Sequence, residues 1–286
     1  MNISTQLKCF EAELYRKGYR PESIKNYVSC VNKFLYYFKN KDSVKHISEA
    51  DIKKYLGRFT EHNTQRAYHS AVKCFYKYVA KQPNKFKYIE YCKRKRRLPI
   101  VLSITEVQQL IFVASNLKHK AILCLMYSTG MRISEVINLK IKNIDSSRMV
   151  INIIDAKGGK DRQVTLDQHL LQLLRYYYVK YKPKEYLFNG QISVKYTPTS
   201  IRNFINRYAK LAGIKKKVNP HLIRHCYGTH LVENGTDINL IQKLMGHENV
   251  KTTNMYLHIS NNHISKIQTP LSLIVQNQPK LLNLTA

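Results

Sequence analysis

The stretch His221-Leu222-Ile223-Arg224-His225 is the place from which this chain is best read. Pro220 stands directly before it, and proline suits the first position of a helix. Residues i and i+3 share a helix face. His221 and Arg224 therefore project together, a proton-transferring ring beside a fork of hydrogen-bond donors. His225 falls outside that pairing and is expected to pack. The helix should reach about Glu233. Asn234-Gly235-Thr236 then reads as a turn with an N-cap, and Gly246 ends the short helix after it.

Upstream of this stretch, Ser103-Ile104-Thr105-Glu106 has capping-box spacing and should open a helix over about 104–116. A second is expected over about 119–129, where Gly130 punctuates, and a third from Ile133 to Leu139. The period then changes. Met149 to Ile154 is rich in β-branched residues, and Gln163 to Leu166 alternates. Lys157-Gly158-Gly159-Lys160 between them is a hairpin turn signal, so a small antiparallel sheet of two or three strands fits. Helices resume after Asp167, a candidate N-cap, and after Thr197-Pro198. Arg175-Tyr176-Tyr177-Tyr178 reads as a helix with one buried aromatic side.

Residues 1–86 read as short amphipathic helices. Ile24, Tyr27, Val28, Val31, Phe34, Leu35 and Phe38 follow helical spacing from Pro21 onward. A second helix is expected from Glu49 to Phe59. A third, from Asn63 to Val79, puts Ala67, Ala71, Cys74, Phe75 and Tyr78 on one stripe and Arg66, His69, Lys73 and Lys77 on the other side. A basic face opposite an apolar one suits docking onto phosphates. Residues 87–102 form a linker centred on Lys93, Arg94, Lys95, Arg96 and Arg97, a like-charge run that stays extended unless a polyanion neutralises it. The expected domains are therefore 1–86 and 103–267, with a tail over 268–286.

The 286 residues include 48 Lys+Arg against 18 Asp+Glu, a formal charge of +30. The excess is shared by both sides of Pro99, so it is no detachable tail. Such a charge repels itself unless a polyanion offsets it, and nucleic acid is the leading partner. An anionic membrane surface would need a basic amphipathic helix or a lipidation motif, and neither is found. No run of 18 apolar residues is present, and Met1 to Lys17 has no continuous hydrophobic stretch, so no secretory signal is expected there. The six cysteines are widely spaced, with no CxxC pair and no zinc-like cluster, which suggests a reducing cytoplasm and no metal site.

The wider pattern is more specific than any one motif. Thr129-Gly130-Met131-Arg132-Ile133-Ser134-Glu135 puts an arginine at a helix start. His221-x-x-Arg224 follows, then Leu244-Met245-Gly246-His247. Thr252-Thr253-Asn254-Met255-Tyr256 comes last, with Tyr256 nine residues after His247. In this order and spacing the chain closely resembles the tyrosine recombinase (phage integrase) family, and the Xer-like site-specific recombinases within it. The resemblance is strong over about 103–260 and looser before it.

It implies a mainly α fold, with an N-terminal helical core-binding (SAM-like) domain and a C-terminal mixed α/β catalytic domain carrying a small antiparallel β-sheet. It assigns Arg132 and Arg224 as the two catalytic arginines, His221 as the histidine of the His-x-x-Arg box, and His247 as the Gly-His residue. Lys157 is the hairpin lysine, Glu135 a supporting acid that orients the arginines, and Tyr256 the nucleophile. It also implies double-stranded DNA as substrate, a 3′-phosphotyrosine intermediate, no cofactor and no metal. A homo-tetramer on two DNA sites would exchange strands through a Holliday junction. Whether a paralogous recombinase or an accessory DNA-bending protein takes part stays open. The expected setting is the bacterial cytoplasm, at the nucleoid.

These residue types suit that chemistry. A phosphodiester gains charge in its transition state, and two guanidinium forks can hold its non-bridging oxygens. A tyrosine can attack phosphorus and keep the bond energy in a covalent intermediate. Lys157 is the preferred acid for the departing 5′-oxygen, and Lys160, on the same turn, is the alternative and otherwise a DNA contact. His221 is either the proton acceptor from Tyr256 or a further phosphate ligand. A type IB topoisomerase-like enzyme shares this chemistry and is one rival. A non-catalytic architectural DNA-binding protein explains the charge but not the six catalytic positions. The departure at Leu257, where relatives carry a small polar residue, lies next to the nucleophile. Leu271, Leu273, Ile274 and Val275 in the tail are expected to pack either on a neighbouring protomer or on their own domain.

Overall fold

The structure is a computed structural model, and it describes residues 2–91, 100–154, 161–190 and 194–247, together with Thr253 and Tyr256. The hairpin turn with Lys157 and Lys160, the basic run Lys93–Arg97 and the tail 268–286 lie outside the described residues. The chain divides into two compact units, 1–97 and 98–286. The described residues are mostly helical, with one three-stranded sheet. No described helix is long and apolar enough to cross a membrane.

The first unit packs four α-helices: α1 (Ile3–Arg16), α2 (Pro21–Tyr37), α3 (Glu49–Gly57) and α4 (His62–Tyr78). Local chemistry fixes their starts. The Asn2 side chain accepts from the Thr5 N–H, Pro21 sits in the first turn of α2, and Ser48 and Asp51 close a reciprocal capping box on α3. Phe10, Leu14, Ile24, Val31, Phe34, Leu35, Ile52 and Phe75 fill the core. On α4 the buried stripe is Tyr68, Ala71, Val72, Phe75 and Tyr76, while Ala67 is exposed. His69 also leaves the expected basic face. It is buried, its Nε2 lies 2.8 Å from the Ile89 carbonyl, and its ring sits edge-on to Phe86. The segment after α4 folds back over that side of the helix and covers it. Arg66, Lys73 and Lys77 remain exposed.

The second unit begins with α5 (Ile104–Phe112), whose Ser103/Glu106 capping box is formed in both directions. It ends before the expected 116 because Asn116 caps the next helix, α6 (Leu117–Thr129), by accepting from the His119 N–H. Then come α7 (Ile133–Asn138) and strands β1 (Ile144–Asp145), β2 (Val150–Ile153) and β3 (Arg162–Thr165). The sheet order is β1-β2-β3, all antiparallel, with Val150 opposite Thr165 and Ile153 opposite Arg162. α8 (Gln168–Tyr181) is capped by Asp167 and buries Tyr177 while Tyr176 and Tyr178 face solvent. α9 (Pro198–Leu211), α10 (Pro220–Glu233) and α11 (Ile238–Met245) complete the unit. Asp237, not Thr236, caps α11, because its carboxylate reaches two backbone N–H groups, those of Asn239 and Leu240.

α10 is the axis of this unit. Nearly every residue from Leu222 to His230 is buried. The entering chain is tied to it. The Leu102 N–H donates to Cys226 Sγ, and His230 bridges the Leu102 carbonyl at 3.0 Å and the Tyr127 hydroxyl at 2.8 Å. A helix buried all round cannot shift without breaking many contacts, so its polar residues have fixed places. Ser103→Ala removes half of the capping box at the entrance. It should cost about 1 kcal/mol and lower the melting temperature of this unit by roughly 2–4 °C, as read by calorimetry.

Candidate active site

α6 stops at Gly130, whose φ of 61° lies in the left-handed region. A Cβ there would stand 2.3 Å from Cδ1 of Tyr227, so only glycine lets this turn lie against α10. The close approach has a consequence: the Gly130 carbonyl accepts from one terminal nitrogen of Arg224. The other terminal nitrogen donates to the Met245 carbonyl at the end of α11. Arg224 is 2% exposed, yet both these acceptors are neutral. Burial, then the nearby charge of Arg132, lowers its pKa to about 10, which leaves it cationic at neutral pH.

Two residues past Gly130, Arg132 occupies the N-cap of α7. Its backbone N–H donates to Glu135 Oε2 at 2.7 Å, and its guanidinium donates to Glu135 Oε1 at 2.9 Å and to the Gly246 carbonyl at 3.1 Å. Glu135 is buried and carries a second partner, one outside the sequence motifs. Arg162, at the start of β3, grips both carboxylate oxygens, at 2.8 and 2.7 Å, and its Nε donates to the Leu244 carbonyl at 2.8 Å. Burial alone would push the Glu135 carboxyl up. The hydrogen bonds and charge of Arg162, then those of Arg132, outweigh it and hold the carboxyl below its ordinary value. The signal for Arg162 is present in the strand period. Alternation puts it on the same face as Val164, which is buried, while Gln163 and Thr165 are exposed.

Tyr256 is 1% exposed and packs with Tyr227, Val232, Ile241 and Met245. Its ring needs Gly228, where a Cβ would stand 2.8 Å from Tyr256 Cζ. Its hydroxyl lies 3.1 Å from Nδ1 of His225. This corrects the expectation that His225 only packs. Residues i and i+4 also share a helix face, so His225 stands beside His221, with ring centroids 4.3 Å apart, and reaches the tyrosine. His221 sits at the solvent side of this pair, its pKa lowered by desolvation of the ring and then by Arg224 and Arg132. His247 lies past the end of α11, with Nδ1 3.0 Å from Thr253 Oγ1 and its ring parallel to that of Tyr256. Burial, then Arg224 and Arg132, lowers the His247 pKa to about 4, and burial, then His221 and Arg224, lowers His225 to about 4. Burial raises the Tyr256 phenol to about 12 against the opposing pull of Arg224 and Arg132.

The structure thus gathers Arg132, Glu135, His221, Arg224, His247 and Tyr256 around one end of α10, and adds Arg162 and His225. Arg66, Lys73 and Lys77 belong to the other unit. Among the described residues, no group of three or more His, Cys, Asp or Glu is placed to hold a metal ion.

Residues 101–263 match the phage integrase family, and residues 7–85 match the phage integrase N-terminal SAM-like domain. A tyrosine recombinase of Pseudothermotoga lettingae is 32% identical over 247 residues, 82% of this chain and 86% of that one. A Sinorhizobium fredii protein described as a putative integrase/recombinase is 39% identical over 188 residues, 65% of this chain but only 61% of that one. Among solved structures, XerA recombinase is 30% identical with a TM-score of 0.55, covering 97% of this chain and 99% of that one. XerH bound to a palindromic difH substrate shares the fold, with a TM-score of 0.72 at 23% identity over 85% of this chain and 78% of that one. The chain belongs to the phage integrase family. Within it, the chain is a tyrosine recombinase, an enzyme of site-specific DNA recombination.

Two outcomes follow from the packing. Gly228→Ala should displace the Tyr256 ring and cost about 1–3 kcal/mol in urea unfolding, as overpacking does. His225 and His247 stay neutral in the fold down to about pH 4, whereas the unfolded chain binds their protons near 6.5. Unfolding therefore takes up protons in that window. Stability should be full above about pH 6.5 and fall as the pH drops towards 4, as thermal melts across the range will show.

Proposed function

We propose that this chain cuts and rejoins double-stranded DNA through Tyr256. The observation that carries the reading is the seating of one buried tyrosine hydroxyl against His225, with Arg132, Arg224 and His247 nearby. The tyrosine oxygen attacks the scissile phosphorus, forming the P–O(Tyr256) bond and breaking the bond to the 5′-oxygen. The product is a 3′-phosphotyrosine and a free 5′-hydroxyl. Arg132 and Arg224 take the non-bridging oxygens, exchanging backbone carbonyls for a better acceptor, an anion, and His247 adds a further hydrogen bond. The phenolic proton passes first to Nδ1 of His225, the nearest acceptor, and His221 at the solvent side relays it or contacts the phosphate. Lys157 supplies the proton to the departing 5′-oxygen, with Lys160 contacting the DNA.

The arrangement also accounts for a quiet resting state. A neutral histidine whose pKa is about 4 is a weak base towards a phenol at about 12. A phosphate entering between the arginines would bring the phenol into reach of phosphorus, and its negative charge would make His225 a better base. Chemistry is thereby tied to DNA binding.

Affinity would come mainly from phosphate contacts, with Arg66, Lys73 and Lys77 on α4 and the run Lys93, Arg94, Lys95, Arg96 and Arg97 as contributors. Four protomers on two sites would exchange strands through a Holliday junction at bacterial or mobile-element DNA, alone or with a paralogue or bending protein. The tail 268–286 would pack on a neighbouring protomer and set when Tyr256 acts.

A trapping assay tests the chemistry. Wild type and Tyr256→Phe are incubated with nicked duplexes drawn from DNA flanking the gene, in EDTA, and run on denaturing gels. An adduct in wild type alone is expected, and an adduct that survives Tyr256→Phe would name another nucleophile. Replacing Arg66, Lys73 and Lys77 together by alanine should weaken DNA binding. The slope of log affinity against log salt should shrink by roughly 0.9 for each phosphate that is no longer neutralised.

A further inference from the structure

The pairing of Glu135 is uneven. Arg162 binds both its oxygens in a fork and is itself fixed by the Leu244 carbonyl, with only 7% of its side chain exposed. Arg132 holds the same carboxylate through a single guanidinium nitrogen, and 23% of its side chain is exposed. One buried carboxylate therefore serves two arginines, and the buried one has the stronger hold. Gly246, at the end of α11, lies close against this arginine: a Cβ there would stand 3.0 Å from Arg162 Cδ.

Arg132 faces a conflict. It must be held before DNA arrives and must then give its guanidinium to the phosphate. A lone buried carboxylate at 2.9 Å would oppose the exchange, because breaking such a pair leaves a charge stranded. With Arg162 in the fork, Glu135 stays neutralised when Arg132 turns away. The backbone N–H of Arg132, donating to Glu135 Oε2, keeps the start of α7 in place meanwhile.

We infer that Arg162 is a positioning residue for the recombination reaction, holding the charge of Glu135 so that Arg132 can be transferred to the scissile phosphate. Arg162 itself touches no DNA. It also ties the first residue of β3 to the end of α11, so the strand that follows the hairpin lysine and the segment that carries His247 move as one. The inference rests on the proposed grip of Arg132 on the phosphate.

The test measures single-turnover adduct formation on a nicked duplex at saturating DNA, together with DNA affinity and cooperative melting, for Arg132→Ala, Arg162→Met, Arg162→Lys, Glu135→Gln and the double variant Arg162→Met/Glu135→Gln. Arg162→Met should slow adduct formation by about 10–100-fold, towards the range seen when one transition-state hydrogen bond is removed, with DNA affinity nearly unchanged. Arg162→Lys, which keeps the charge but not the fork, should be slowed less. The double variant should recover at least about tenfold over Arg162→Met, because an amide in place of the Glu135 carboxylate still accepts the Arg132 N–H but no longer holds its guanidinium. If Arg162→Met does not melt cooperatively, the double variant, which leaves no carboxylate unpaired, must fold and react faster than Arg162→Lys. A double variant as slow as Arg162→Met, or an Arg162→Met enzyme as fast as wild type, overturns the inference. Full activity in Arg132→Ala would instead overturn the grip of Arg132, and with it the reading of the site, whatever the Arg162 variants do.

Discussion

Burying positive charge in a protein is costly, and the catalytic unit depends on how it manages that cost. Arg224 lies almost fully inside the fold, and its hydrogen-bond partners among the described residues are backbone carbonyls. Arg132 and Arg162 share one buried carboxylate, that of Glu135. Among the described residues, positive charge at the centre therefore exceeds negative charge. On the proposed reading, a DNA phosphate would offset this excess, so part of the affinity for the substrate would come from the packing of the unit.

The same constraint explains one glycine against α10 and one within it. Carbonyls can satisfy a buried guanidinium only if backbone comes within hydrogen-bond distance of it. Gly130 permits that by taking a left-handed φ and leaving room for the Tyr227 ring. Gly228 permits the Tyr256 ring to lie close on the helix that carries Arg224 and His225. Electrostatics and sterics therefore meet on one helix. Its burial fixes both the buried guanidinium of Arg224 and the seat of the Tyr256 ring.

Much of this is legible in the chain. The capping box at Ser103, the Thr197-Pro198 start, the β-branched run at 150–153 and the glycine stops are local signals. They act through neighbouring backbone groups and survive without tertiary context. The departures share a cause. Helical period alone puts Ala67 inside and His69 outside, but which side of α4 is covered depends on the returning segment around Ile89. Periodicity carries α5 too far because it does not see the cap that begins α6. Spacing pairs His221 with Arg224 at i+3, yet i+4 shares the face as well, and it is His225 that meets the tyrosine.

Residue type and spacing suffice for the family, the helical character of both halves, the basic character of the chain and the order in which arginines, histidines and tyrosine occur. These are properties of the chain and need no folding to be read. Which groups meet is settled by folding alone. It brings Arg162 onto Glu135, joining residues 27 apart in sequence. It sets the Arg224 fork on the carbonyls of Gly130 and Met245, and the Tyr256 hydroxyl on His225. Pairings between distant residues are set by how helices pack and what that packing shuts away from water, and no local pattern encodes either.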